Sequence, residues 1–159
     1  TLPQGGPAEP IDHLGLALTA GAAYVAQASP AFAPFFAEVV SEALACQGGT
    51  AVVFVPSPCI AGWKFREGLT AELGKMAAQT GLFPMFRKHA GRPGELKFVA
   101  EKARRPTVER WLAMQQRFEH LCALEGGAPK IKPGREAEVA AIQAYADREV
   151  ERLQRWCAA

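Results

Sequence analysis

The sequence contains no apolar run near the roughly 20 residues that a membrane-spanning helix needs, so no membrane segment is expected. It has no stretch with the make-up of a secretory signal, because residues 1–10 are polar and rich in Gly and Pro. Neither sign of charge is in excess. A formal net charge of +2 leaves no electrostatic case for binding nucleic acid. Cysteine is scarce, and Cys46, Cys59, Cys122 and Cys157 form no CxxC pair and no zinc spacing. Without an export signal, reduced thiols or a metal ligand are favoured over a disulfide framework. Internal repeats and low-complexity tracts are also missing. What is present is ordinary for a globular chain: 159 residues, 49% apolar and 21% charged, enough for one domain with a real core. A cytoplasmic domain is the expectation. The chain opens on Thr1 rather than Met, so a processed chain or a fragment is expected.

Along the chain, residues 1–12 read as an extended lead-in, and Asp12 caps a short helix over 13–20 that ends at Gly21. Tyr24 to Ala28 reads as a short buried strand broken by Ser29 and Pro30. Phe32, Phe35, Phe36, Val39, Val40, Ala43 and Leu44 repeat with helical spacing, with Pro34 in the first turn and Gly48-Gly49 as the stop. Ala51 to Val55 is a continuous apolar, β-branched run, the pattern of a central parallel strand covered on both faces. The alternation of helix and strand with short joins predicts an α/β fold with an open, mainly parallel sheet. A helix over 68–80 follows. Strands over 82–88 and 95–102, joined by the Gly91–Gly94 turn, are expected to form a hairpin. Thr107 is expected to cap a helix to about Leu121, with Val108, Trp111, Leu112, Gln115 and Phe118 inward. A Gly/Pro linker over 126–134 and a final amphipathic helix complete the chain.

One loop stands out. Ser57-Pro58-Cys59-Ile60-Ala61-Gly62-Trp63 follows the apolar strand, and open α/β sheets bind ligands beyond the carboxyl ends of their strands. Pro58 fixes the entry to Cys59, and Gly62 lets the chain turn away. A thiolate there can ligate a metal or cluster or act as a nucleophile, and a plain buried cysteine is the bland alternative. A nucleophile would want a histidine brought close by the fold, since His13, His89 and His120 are all distant in sequence.

Four segments in register then carry a resemblance: Tyr24–Pro30 (YVAQASP), Ser57–Trp63 (SPCIAGW), Met76–Phe86 (MAAQTGLFPMF) and Arg105–Leu121 (RPTVERWLAMQQRFEHL). Over roughly residues 12–121 the chain resembles the β subunit of thiamine-diphosphate-dependent pyruvate and 2-oxoacid:ferredoxin oxidoreductases. The resemblance implies a thiamine-diphosphate-binding α/β domain, of which residues 1–121 form the C-terminal part. Residues 122–159 follow as linker and C-terminal helix. It implies thiamine diphosphate, Mg2+ and a 4Fe–4S cluster as cofactors, and Cys59 as the fourth cluster ligand. It implies other subunits of α, γ and δ type, ferredoxin, a 2-oxoacid and coenzyme A as partners, with no nucleic acid and no membrane. The family's Gly-Asp-Gly motif with its Asn-containing loop, and its three other cluster cysteines, are missing here. The cofactor sites would therefore be completed by residues outside this chain, which would not be active alone. Pyruvate is the expected substrate; a branched-chain or aromatic 2-oxoacid, or a scaffold domain of the same fold without cofactors, are the alternatives.

Other residues have two readings each. Trp63 and Phe65 are either a water-excluding shield for a cluster or core packing. Gln27 and Ser29 either line a cofactor pocket or cap the next helix. The nine Lys/Arg between residues 87 and 117, against three Glu, are either a steering surface for an acidic ferredoxin or a solvated face. Cys46, Cys122 and Cys157 have no motif context. His13 and His120 sit among apolar helix residues and read as packing or surface groups.

Overall fold

A computed structural model describes residues 11–158. The expected lead-in over residues 1–12 lies, but for its last two residues, outside the described residues. Helix α1 (His13–Thr19) begins as the sequence predicts: Asp12 Oδ1 accepts a hydrogen bond from the Gly15 N–H at 2.8 Å. Strand β1 (Tyr24–Gln27) follows. Helix α2 (Ala33–Ala45) has Pro34 in its first turn, where its missing N–H costs nothing. Then come β2 (Ala51–Phe54), the single-turn helix α3 (Ile60–Trp63), α4 (Thr70–Gln79), and the strands β3 (Met85–His89) and β4 (Glu95–Lys97). Helix α5 (Glu109–Ala113), strands β5 (Cys122–Glu125) and β6 (Ala128–Ile131), and the long helix α6 (Glu136–Ala158) close the chain.

The sheet is mixed rather than mainly parallel. Its order is β2-β1-β3-β4; β1 pairs with β2 in parallel, while β1/β3 and β3/β4 are antiparallel. The cause is visible in β3. Met85 and Phe86 are buried, but Arg87, Lys88 and His89 are half-exposed, so this strand lacks the continuous apolar run of a parallel strand sandwiched between helices. The β3–β4 pair is the hairpin that the Gly91–Gly94 turn suggested, though β4 ends at Lys97, where Phe98 turns to φ 62°. The strand expected to be central is also displaced. Among the described residues β2 has a neighbour on one side only and all four of its residues are half-buried. The true centre is β1. Tyr24 and Ala26 face α2 through Phe35 and Val39, whereas Val25 faces α1 and α6 through Leu14 and Leu153. This period-two split gives each face of β1 its own core. Burying each large apolar side chain here stabilises the fold by about 1.5–3 kcal/mol.

Two further differences lie in the C-terminal third. The helix expected over 107–121 is only five residues long. Its predicted inner residues Val108, Trp111, Leu112 and Gln115 are buried nonetheless. The break has a specific cause: the Gln115 amide donates to the Trp111 carbonyl at 2.6 Å, and the Gln116 N–H leaves the helix to bond the Lys64 carbonyl at 2.9 Å. Gln115 is consequently extended, and residues 116–118 form a separate 3-10 turn. The Gly/Pro linker is instead the β5–β6 hairpin. Gly126 and Gly127 form its two-residue turn with φ 58° and 84°, the left-handed pair that hairpin turns of type I′ require. Leu73, Ala77, Trp111, Leu112, Cys122, Val139 and Ala146 knit α4, α5, the hairpin and α6 into one cluster. Among the described residues no helix is long and apolar enough to cross a membrane.

Candidate functional site

The loop after β2 leads into α3, and Cys59 occupies the N-cap position of that helix. Its backbone is extended, and its Sγ accepts a hydrogen bond from the Gly62 N–H at 3.4 Å. The turn closes with Trp63 N–H to the Cys59 carbonyl and Lys64 N–H to the Ile60 carbonyl, both at 2.8 Å. Lys64, at φ 52°, then ends the helix in the left-handed region. Cys59 is exposed, as are Ile60 and Lys64. The bland reading of a buried cysteine therefore does not hold. Hydrogen bonds of this N–H···S kind to ligand sulfurs are one of the means by which proteins tune iron–sulfur clusters.

The other cysteines differ. Burial pushes the Cys122 thiol up, with Glu109 adding to the shift, and burial likewise raises Cys157 despite the opposing pull of Lys88. Such thiols are inert. Cys46 sits half-buried beside the Gly49 carbonyl, 3.9 Å away. No histidine is hydrogen-bonded to Cys59 among the described residues. His13 packs on Phe54, and His89 packs on Tyr24 and lies 3.8 Å from Glu42. Nor, among the described residues, do three or more His, Cys, Asp or Glu side chains converge to hold a metal ion. Cys59 is presented outward on a short loop, as a single thiol. A complete thiolate set is not on this chain's described surface. Among the described residues no cluster of carboxylates is placed to hold a Mg2+ ion.

Below the loop the packing is apolar. Ser29, Pro56, Pro58, Trp63, Phe83 and Met85 enclose a void of about 10 Å³, too small for a ligand. Ser29 accepts a hydrogen bond from the Ala31 N–H at 3.3 Å, which makes it a cap. Gln27 donates to the Pro84 carbonyl at 2.8 Å. Both are structural. Trp63 meets Trp111 edge-on at 5.6 Å and Phe65 at 6.4 Å, and Trp111 meets Phe118 at 5.8 Å. Trp63 and Phe65 thus belong to an aromatic cluster under α3.

Two features were not visible in the sequence. One is an open cleft of about 530 Å³ between the α3 exit and α5, with Lys64, Arg66 and Arg110 around an apolar floor of Phe65, Leu69 and Met114. The other is Arg117, whose guanidinium stacks 4.1 Å from the Trp63 ring centre and 4.5 Å from that of Phe118. Burial without a compensating carboxylate pushes its pKa down to about 10. An Arg at that place is written in the QQRFEHL run, but the rings that stack on it are brought there only by the fold. The remaining basic residues between 87 and 117 are mostly spoken for. Arg87 pairs with Glu38, Glu42 and Glu95, Lys97 with Glu95, Lys102 and Arg105 with Asp147, and Arg110 with Glu72. The stretch is a paired surface rather than a free cationic face.

Comparison with known proteins gives the loop its context. No protein-family model matches the chain. The chain is 34% identical over 134 residues to pyruvate synthase subunit PorB of Methanosarcina barkeri, a match covering 84% of this chain and 41% of that protein. It is 34% identical over 101 residues to PorB of Methanocaldococcus jannaschii, covering 64% of this chain and 33% of that one. It is 28% identical over 98 residues to ketoisovalerate oxidoreductase subunit VorB of Pyrococcus abyssi, covering 62% and 31%. The chain thus spans under half the length of the curated relatives it matches. Over its matched residues the chain is therefore similar to pyruvate synthase subunit PorB and, at lower identity, to ketoisovalerate oxidoreductase subunit VorB.

Proposed function

We propose that the chain forms part of the β subunit of a 2-oxoacid:ferredoxin oxidoreductase of the pyruvate synthase type. In the complete assembly, pyruvate and coenzyme A are converted to acetyl-CoA and CO2, and the two electrons released pass through iron–sulfur clusters to ferredoxin. Thiamine diphosphate with Mg2+ supplies the electron sink for decarboxylation. On this reading residues 1–121 are the C-terminal part of the domain that carries it, and residues 122–159 are an appended tail.

The observation that carries the reading is Cys59. It is an exposed thiol, backed by the Gly62 N–H, in the strand-end loop of a chain that is similar to PorB over most of its length. Its role is to ligate one iron of a 4Fe–4S cluster whose other thiolates lie outside this chain. Trp63, behind it, keeps the loop in place and keeps water from the inner side. Similarity to VorB supports a second substrate, a branched-chain 2-oxoacid in place of pyruvate. The test is Cys59→Ala in the full assembly, read by iron per complex and by the reduced-cluster electron paramagnetic resonance signal. Loss of one cluster's iron, with the subunits still associated, is expected. Unchanged iron and an unchanged signal would reject the role. An unmodified assembly with no iron would point to a scaffold without cofactors.

A further inference from the structure

The well-covered arginines of this molecule follow a pattern with one exception. Arg87, Arg105 and Arg152 each have a carboxylate within 3 Å: Glu95 at 2.6 Å, Asp147 at 2.9 Å, and Glu149 at 2.7 Å with Asp12 at 2.9 Å. Arg117 has none among the described residues. Its position is nevertheless fixed with care. Nε donates to Gln115 Oε1 at 2.9 Å, and Gln115 is itself buried and locked by its 2.6 Å bond to the Trp111 carbonyl. The rings of Trp63 and Phe118 set the plane of the guanidinium. With Nε committed and the plane held, the Nη1/Nη2 edge is the part left to donate. Those two nitrogens form the fork that matches the two oxygens of a carboxylate. A half-buried cation held in place without an anion is costly, and one unit of negative charge would remove that cost. A phosphate would bring a larger charge and call for further donors.

We propose that Arg117 is a preformed carboxylate-binding site, receiving two oxygens of a single carboxylate on its Nη1/Nη2 edge. The site does not depend on the cluster role of Cys59, and it takes its shape from stacking and from Gln115 alone. The carboxylate has two sources, an Asp or Glu side chain of polypeptide outside this chain, or a free small carboxylate. The site would bind either by the same two hydrogen bonds.

The test is arginine modification by phenylglyoxal in the native, complete assembly, with the rate at Arg117 followed by peptide mass. Arg104, exposed and without a carboxylate partner among the described residues, is the internal standard. If a side-chain carboxylate fills the site, Arg117 is protected in the dialysed assembly and becomes at least tenfold more reactive when the subunits are separated. If the carboxylate is free, Arg117 reacts in the dialysed assembly and millimolar acetate slows it at least tenfold while Arg104 is unaffected. Either result supports the site. A rate at Arg117 that neither separation nor acetate changes would overturn it, whether that rate is fast or slow, because the residue would then be packing alone. Arg117→Lys supplies a second reading, since it keeps the charge and loses the fork. Subunit or acetate affinity should fall about tenfold, and an unchanged affinity would overturn the proposal.

Discussion

Two of the regions that hold an arginine against aromatic rings are built to opposite ends. On the sheet face, Arg87 lies 5.4 Å from the ring centre of Phe35 and meets Glu38, Glu42 and Glu95 within 3.3 Å. Glu42 also accepts from the Tyr24 hydroxyl at 2.9 Å, and burial together with that carboxylate holds the hydroxyl proton on well above the ordinary tyrosine range. Every charge there is answered from within the chain. Around the strand-end loop, Arg117 lies against Trp63 and Phe118 with no carboxylate partner among the described residues, and Cys59 stands exposed with one N–H donor. The first region is complete and serves the fold. The second is stable in its apolar parts but open in its polar ones, which is what a site finished by other residues looks like.

The comparison can be broken by exchanging what each region depends on. Trp63→Ala should have the largest effect on stability, about 2–3 kcal/mol, because it removes a half-buried ring that packs on Trp111, Phe65 and Arg117. Denaturant unfolding of the complete protein measures it. A cost below 1 kcal/mol would mean that the open region has no apolar foundation. Arg87→Met should cost less, about 1–2 kcal/mol, since its carboxylates are partly solvated and can rehydrate when it is lost. The same measurement at high salt should show the wild-type advantage shrinking.

Glu95→Gln should have the smallest effect at neutral pH and a distinct signature in acid. Burial opposes ionisation of Glu95, but hydrogen bonds from Lys97 and Arg87 prevail and hold its carboxyl below the usual range. A depressed folded pKa adds stability that is fully present above the unfolded value, about 4.3, and is lost as pH falls through the folded one. The variant should therefore show a flatter decline in stability below about pH 4.3 than the wild type. Identical acid limbs would remove Glu95 from the account.

Legibility in the sequence followed the range of the interactions. Helices α1, α2, α4 and α6 were readable because Asp12, Pro34, the glycine stops and the 3.6-residue spacing act within a few residues. Strand positions were readable, but not their order. Nothing local in Ala51 to Phe54 says that β1 rather than β2 takes the centre, since that depends on where β3 pairs. The pattern over 107–121 is helical throughout, and the break comes from a long-range bond, Gln116 to Lys64, that no local signal announces. The β5–β6 hairpin has a local signal, Gly126-Gly127 between short apolar runs, but the same glycines and prolines also suit a linker. At the site, Cys59 was legible from its Pro-framed, Gly-bearing loop. Arg117 was not, because its setting is defined by rings the fold brings to it and by the lack of a carboxylate partner among the described residues.

The central claim is that Cys59 is held outward for a ligand this chain does not itself complete. Its alkylation by iodoacetamide in the native assembly, before and after iron is stripped by a chelator, tests that most directly. The account predicts that Cys59 is unreactive while iron is bound and takes up one equivalent once iron is gone, with buried Cys122 unlabelled in both states. Equal, rapid labelling of Cys59 with and without iron would contradict it.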